Sequence, residues 1–389
     1  MKVILPFTVI AVTLLLSCHH KSVESYQSEI ESVEQRWLPD KRVGICNLFV
    51  VNEKGGELIL RGESTVGEAK EEVLWLLKSK GVTVIDSSVI LPDSVKLKKS
   101  WGIISLSISN LRSKPTHSAE LVSQAIMGTP VRVLKEDGEW LLIQTPDRYI
   151  GWTNKPSVQQ MSFTEIDNWK NADRKIYTNT YGTVFGNRNL TNVMSDLVAG
   201  SIVIKKSEAR DVAEIILPDG RLGYVENHNW LDFKQWKDTV SLIGDNMIAT
   251  GERFLGFPYL WGGTSSKGMD CSGFVKTVCF LNGVILERDA SQQFRHGKEI
   301  DITAGWDNLR KGDLLFFGSR QPLRVVHVGM YIGDSEIINS SGSVRINSLD
   351  EKMTNYSKYL NSTLLGARRI IGFPPEQGYL PVRLHNWYN

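Results

Sequence analysis

Short apolar runs and their spacing set the order of elements along the chain. Near the N-terminus, Glu24 to Gln35 has the charged spacing of a short helix or tether. It is followed by two strand-like runs, GICNLFVV (44–51) and ELILRGEST (57–65), then by the helical pattern EAKEEVLWLLKSKG with Gly81 as its stop, then by the strand-like VTVIDSSVIL. Strand, strand, helix, strand predicts a small α+β unit over roughly residues 38–98. It contains no reactive constellation and reads as a spacer or packing domain.

The middle of the chain repeats itself. Residues 127–152, MGTPVRVLKEDGEWLLIQTPDRYIGW, align without a gap on 199–224, AGSIVIKKSEARDVAEIILPDGRLGY, at a constant offset of 72. Gly128 matches Gly200, Pro146 matches Pro218, Asp147 matches Asp219 and Gly151 matches Gly223. Each copy runs strand, turn, strand, Pro-Asp turn, strand, which predicts two small barrels of short antiparallel strands.

Beyond the repeat, DNMIATGERFLGF reads as a helix with Gly256 as its stop. The stretch PYLWGGTSSKGMDCSGF (258–274) then changes character. Gly262, Gly263, Thr264, Ser265, Ser266 and Gly268 read as loop, while Phe274, Val275, Val278 and Leu281 recur at helical spacing. Cys271 therefore opens a helix. Unpaired N–H groups at a helix start favour an anion, so a thiol there is expected to ionise below its usual pKa of about 8.5, and the thiolate is the attacking form. Downstream, His327 lies in the strand-like VVHVGMYIG and Asn339 in SEIINSS, joined by the Gly333-Asp334 turn. A hairpin there brings a base and an orienting amide together in the order Cys, His, Asn. The backbone N–H of Cys271 is a candidate oxyanion donor.

PYLWGGTSSKGMDCSGF, LRKGDLLFF (309–317) and HVGMYIGD (327–334) resemble, in order, three signature blocks of the NlpC/p60 cysteine peptidases of bacterial cell walls. The resemblance covers roughly residues 240–373, about a third of the chain. It implies that Cys271 and His327 are catalytic. The family's third polar residue is most often His, and here the position is Asn339, which can hold the imidazole tautomer without adding charge. The resemblance also implies that Tyr259 and Trp261 line the cleft, their plain alternative being core packing. Asp270, just before the nucleophile, is a candidate helix cap and substrate contact, and Ser272 offers a hydroxyl for substrate. The two repeats resemble bacterial Src-homology-3-like domains. The first resembles the subgroup whose barrel closes one end of the cleft, where an acid and a tyrosine help hold a free substrate α-amine. By motif position these are Glu120 and Tyr149, whose plain alternatives are a solvated helical Glu and a barrel Tyr with an exposed hydroxyl. Asp289 in RDASQQ (288–293) is placed to pair with the same ammonium, and Ala290 stands where the family usually has a second serine.

The expected fold class is therefore α+β, with a papain-like catalytic domain at 237–389. Two barrels precede it at 101–162 and 163–236, and a tether with a small α+β domain occupies 19–100. Residues 1–18 carry Lys2, an apolar run from Val3 to Leu16, then Ser17 and Cys18. This reads as an export signal, and Leu15-Leu16-Ser17-Cys18 resembles a bacterial lipoprotein lipobox, which implies lipidation at Cys18 and a cell-envelope membrane as the location. The plain alternative is an ordinary secretory signal with an incidental Cys. Cys46 and Cys279 read as buried small hydrophobes.

Composition excludes some classes. The 45 basic and 43 acidic residues of this 389-residue chain nearly balance, which argues against nucleic acid. The seven histidines show no metal-ligand spacing, so no metal and no cofactor is expected. His296 in FRHGKE is a weak candidate base, and Asp313 in KGDLLFF reads as structural. The resemblance implies, as the leading expectation, a monomeric endopeptidase cutting the bond from γ-D-glutamate to an L-diamino acid in wall peptides. The alternatives are an N-acetylmuramoyl-L-alanine amidase and a non-catalytic wall-binding lipoprotein.

Overall fold

The structure, a computed structural model, describes residues 23–52 and 57–389. Cys18 and the proposed export segment lie outside the described residues. The described residues divide into two compact units, one running to Pro39 from the first described helix and taking in Ile45–Ile90, the other of Asp40–Gly44 with Leu91–Asn389.

In the first unit, helix Val23–Trp37 precedes the antiparallel strands Cys46–Asn52 and Leu58–Ser64. Helix Gly67–Ser79 then returns the chain to Val84–Asp86, which pairs parallel to Leu58–Ser64. Leu48, Val50, Leu58 and Leu60 alternate inward on the strands, and Ala69, Val73 and Leu77 form the buried stripe of the helix. Gly81 is left-handed at φ 74°, as the helix stop requires.

The second unit opens with the repeat as two seven-stranded sheets. With the strands of each sheet numbered along the chain, both run in space 7-1-4-5-6-2-3. The three strands read from the sequence are Pro130–Asp137, Trp140–Gln144 and Ile150–Asn154 in the first sheet. In the second they are Ile202–Glu208, Val212–Ile216 and Leu222–Glu226, each beginning 72 residues after its counterpart. The backbone repeats too. Gly128 and Gly200 have φ 82° and 88°, and Arg148 and Gly220 after the Pro-Asp turns have φ 69° and 87°.

In the part that carries Cys271, helix α1 (Cys271–Leu281) lies on a six-stranded sheet. The strands are β1 (Lys298–Ile300), β2 (Leu314–Arg320), β3 (Leu323–Gly333), β4 (Glu336–Ser341), β5 (Ser343–Ser348) and β6 (Leu364–Arg369), in the order β1-β6-β2-β3-β4-β5. Phe274, Val275, Val278 and Cys279 of α1 share a core with Leu314, Phe316, Val328, Met330 and Ile338 of the sheet. Such a helix is apolar on the face it buries, and that pattern made α1 legible. The helix expected to run to Gly256 spans only Gly244–Glu252. Tight turns from Gly251 to Phe257 bury Phe254 instead of prolonging the helix.

The first repeat sheet grips the loop that leads to Cys271. Thr264 N and Ser265 Oγ both donate to Gln124 Oε1 at 3.0 Å, and Thr264 Oγ1 donates to the Gln124 carbonyl at 3.0 Å. Lys276 Nζ on α1 lies 2.6 Å from Asp147 Oδ2 in the first Pro-Asp turn, where the Asp147 side chain is 1% exposed. A carboxylate so buried needs its cation. Lys276→Met is expected to cost about 3–5 kcal/mol and lower the urea midpoint, and adding Asp147→Asn should recover much of the loss. Equal midpoints for wild type and Lys276→Met would refute the junction's importance.

Candidate active site

Cys271 is the first residue of α1, and Asp270 caps that helix by accepting from the Gly273 N–H at 2.7 Å. At the first helical position the Cys271 N–H has no intrahelical acceptor, as an oxyanion donor requires. The sulfur receives the backbone N–H groups of Val328 and Ser272. The Val328 contact places the thiol beside the residue that follows His327. His327 stands on β3, and its Nε2 is 3.1 Å from Asn339 Oδ1 on β4. Asn339 Nδ2 donates to Asn347 Oδ1 at 3.1 Å, which fixes the amide's orientation. Oδ1 is then the acceptor, Nε2 carries the hydrogen, and Nδ1 is left as the basic nitrogen.

The electrostatics correct the sequence reading. Burial pushes the Cys271 thiol up to about 11, with the neighbouring Asp270 charge adding to the rise and the two backbone N–H groups opposing it. Only 7% of the residue is exposed, so the helix start does not offset the loss of water. Burial also holds His327 below its ordinary value, against the Asn339 hydrogen bond. Both shifts favour a neutral thiol beside a neutral imidazole in the free enzyme.

Around the thiol a cavity of about 500 Å³ is bordered by Glu120, Tyr149, Trp261, Asp289 and Arg42. A second cavity of about 410 Å³ opens beside His327 and Asn339, and Tyr259 and Val326 border both. Burial pushes the Tyr259 phenol up to about 12, so it remains a neutral donor. Glu120 immediately precedes the strand Leu121–Ile126 and is not helical. It accepts a hydrogen bond from Trp261 Nε1 at 2.8 Å. Tyr149 is buried, and its hydroxyl points to Asp289 Oδ2 at 3.4 Å.

Asp270 and Ser272 border the cavity, yet their polar atoms are engaged internally. Asp270 accepts from the Gly262 N–H at 2.9 Å and from Arg288 at 2.5 and 3.0 Å, and Ser272 Oγ accepts from Arg288 at 2.9 Å. Arg288 is the fully buried hub of these contacts, and the reading of RDASQQ passed over it for Asp289. Its one sequence signal is a cation directly after the apolar Val284–Leu286 strand and Glu287.

Arg42 was missed entirely, because Pro39 to Gly44 has no pattern beyond that of a linker. Its Nη1 lies 2.8 Å from Asp289 Oδ2 and 2.9 Å from Ser291 Oγ, while Nε and Nη2 bond Asp40. Asp289 is nonetheless raised above the usual carboxylate range, burial outweighing Arg288 and Arg42.

The remaining candidates fall elsewhere. His296 bonds Glu287 at 2.9 Å and Glu376 at 3.3 Å, and Asp313 is paired with Arg369 at 2.7 Å. Cys46, Cys271 and Cys279 are all buried, and Cys271 and Cys279 are free thiols. Among the described residues no group of three or more His, Cys, Asp or Glu is placed to hold a metal.

Residues 256–363 match the NlpC/P60 family, and 111–155 match the bacterial dipeptidyl-peptidase Sh3 domain. A γ-D-glutamyl-L-lysine dipeptidyl-peptidase of Bacillus cereus is 30% identical over 265 residues, covering 66% of this chain and 77% of that protein. The chain belongs to the NlpC/P60 family. It is a cysteine peptidase with a Src-homology-3-like domain ahead of the catalytic fold. Dipeptidyl-peptidase 6 of Lysinibacillus sphaericus is 30% identical over 276 residues, covering 67% of this chain and 96% of its own length. The crystal structure of an NlpC/P60 family protein from Bacillus cereus superimposes with a TM-score of 0.61 at 26% identity, over 70% of this chain and all of that one.

A neutral pair gives a distinctive pH profile. The base is competent only when unprotonated, so kcat/KM should rise with pH through a midpoint below the ordinary histidine value of about 6.5 and stay level through pH 9. Iodoacetamide should label the free enzyme slowly at pH 7 and faster toward pH 11. A thiolate–imidazolium pair would instead give a fall near pH 8–9 and rapid labelling at pH 6.

Proposed function

We propose that this peptidase hydrolyses the bond between γ-D-glutamate and an L-diamino acid in short wall peptides that begin with free L-alanine. The observation that carries the reading is the polarity of the cleft. Acyl transfer to a cysteine leaves the acyl half on the sulfur side, and the histidine that protonates the departing amine lies on the leaving-group side. The cavity beside Cys271 then takes L-Ala-γ-D-Glu, and the one beside His327 takes the diamino acid. The names of the relatives from B. cereus and Bacillus subtilis, γ-D-glutamyl-L-lysine dipeptidyl-peptidase, support the same bond.

In this mechanism the thiol proton passes to His327 Nδ1 as Sγ attacks the γ-carbonyl, so charge develops with bond formation. The backbone N–H of Cys271 donates to the oxyanion. The imidazolium protonates the leaving amine, and His327 then activates water to release the acyl group. Asn339 keeps the tautomer. No cofactor is needed.

The acyl cavity ends in Glu120, Tyr149 and Asp289, with Tyr259, Trp261, Asp270 and Ser272 along its walls. An ammonium is favoured there by two carboxylates, although Arg42 already occupies one oxygen of Asp289. An amidase would have to admit the uncharged, glycan-linked muramoyl group beside Glu120 and Asp289, which disfavours that alternative. A non-catalytic role is disfavoured by the complete Cys271, His327 and Asn339 set.

The wider layout is part of the proposal. The shared strand order supports reading both repeats, 101–162 and 163–236, as Src-homology-3-like barrels between an N-terminal α+β domain and the peptidase. Export with lipidation at Cys18 would hold the protein, as a monomer, on a membrane of the cell envelope.

Mass spectrometry of muropeptide digests should reveal free L-Ala-γ-D-Glu with wild type and none with Cys271→Ala. Acetylating the L-alanine amine should lower kcat/KM about ten- to a hundred-fold, the worth of a charge-assisted hydrogen bond. Asp289→Ala should shrink that gap, because Arg42 then faces the ammonium without its counter-charge. Equal rates on free and acetylated peptide would remove the amine-reading end. Separately, Cys18→Ser should release the protein from the membrane fraction, and a wild type that is already soluble would refute the anchor.

A further inference from the structure

The leaving-group cavity carries a charge that the mechanism does not use. Along its wall stand His327, Asn339, Asn347, Ser357, Tyr359 and Arg345, and among the described residues no aspartate or glutamate borders it. Arg345 is directly opposite Asn339 in the β4–β5 register. Residues so paired project from the same face, with Cβ atoms roughly 5 Å apart. Asn347, two residues further on and therefore on that face too, bonds the Asn339 amide. One face thus presents the histidine's orienting amide, the residue that fixes it, and a guanidinium.

Arg345 is exposed, and among the described residues it has no carboxylate partner. Its Nη2 donates to the Ser341 carbonyl, which tethers the head group over the β4–β5 turn. Gly342 in that turn has φ 73°, and a Cβ there would come within 2.5 Å of Arg345 Nη2. The missing side chain leaves room for the guanidinium to fold back at the cavity rim. A tethered guanidinium with several free N–H groups, facing a cavity without acids, is suited to a planar anion.

We propose that Arg345 is a specificity-determining residue that binds a carboxylate of the departing diamino acid. The inference rests on the reading of the His327-side cavity as the leaving-group site. Two carboxylates meet this chemistry. One is the α-carboxylate of a diamino acid at the peptide's C-terminus. The other is the side-chain carboxylate that diaminopimelate has and lysine lacks, where an unopposed lysine ammonium would meet a like charge.

Four substrates separate these sources: L-Ala-γ-D-Glu-L-Lys, its C-terminal amide, L-Ala-γ-D-Glu-meso-diaminopimelate, and the amide of its α-carboxylate. If the α-carboxylate is read, amidation lowers kcat/KM about ten-fold or more for both peptides. If the side-chain carboxylate is read, both diaminopimelate peptides exceed both lysine peptides by that factor. In either case Arg345→Gln should bring the four rates together, and Arg345→Lys should restore part of the spread. Four wild-type rates within two-fold of one another would overturn the proposal, and so would an Arg345→Gln enzyme that slows on all four equally. Cleavage of none of the four at the γ-glutamyl bond would overturn the functional reading and the inference with it.

Discussion

A buried guanidinium–carboxylate pair organises the cleft. Arg288 and Asp270 are both nearly inaccessible, and each side chain in isolation would cost several kcal/mol to bury. Together they fix more than each other. Asp270 also caps α1 and holds the Gly262 N–H, so one carboxylate sets where the helix starts and where the preceding loop turns. Arg288 reaches Ser272 as well and stands next in sequence to Asp289, so the wall of the acyl cavity is referred to the same point as Cys271. Disturbing either partner would strand a charge at the base of the candidate nucleophile.

The second organising element is the β-hairpin that carries His327 and Asn339. Its strands continue the sheet on which α1 packs, so the positions of thiol and imidazole follow from backbone pairing and a shared core rather than from flexible loops. The chain from His327 through Asn339 to Asn347 is made of neutral groups. It sets the tautomer without supplying a counter-charge, which accords with an imidazole that burial holds neutral.

Local pattern made some of this readable from residues alone. The repeat was legible because its two copies keep one offset, so that glycine and Pro-Asp positions coincide and the strand starts follow. Helix α1 was legible because a glycine-rich loop gives way to a buried apolar stripe at Cys271. The protonation state was not, since it depends on burial from β3 and on the Asp270 charge, which a helix-start argument leaves out. Arg42 was invisible for a different reason: it lies 247 residues from Asp289 and in no element, and only the fold makes them neighbours. Arg288 was hidden by a motif whose neighbouring acid drew the attention.

The protonated state of Cys271 bears on how the enzyme ages. Peroxides oxidise thiolates, and the steps to sulfenic and then sulfinic acid begin with that anion. A thiol that burial holds above its ordinary pKa exposes little of the vulnerable form at neutral pH. Cys279 on the same helix is completely buried, and burial also keeps its thiol protonated. Burial thus shields the candidate nucleophile from peroxide by keeping it protonated between turnovers.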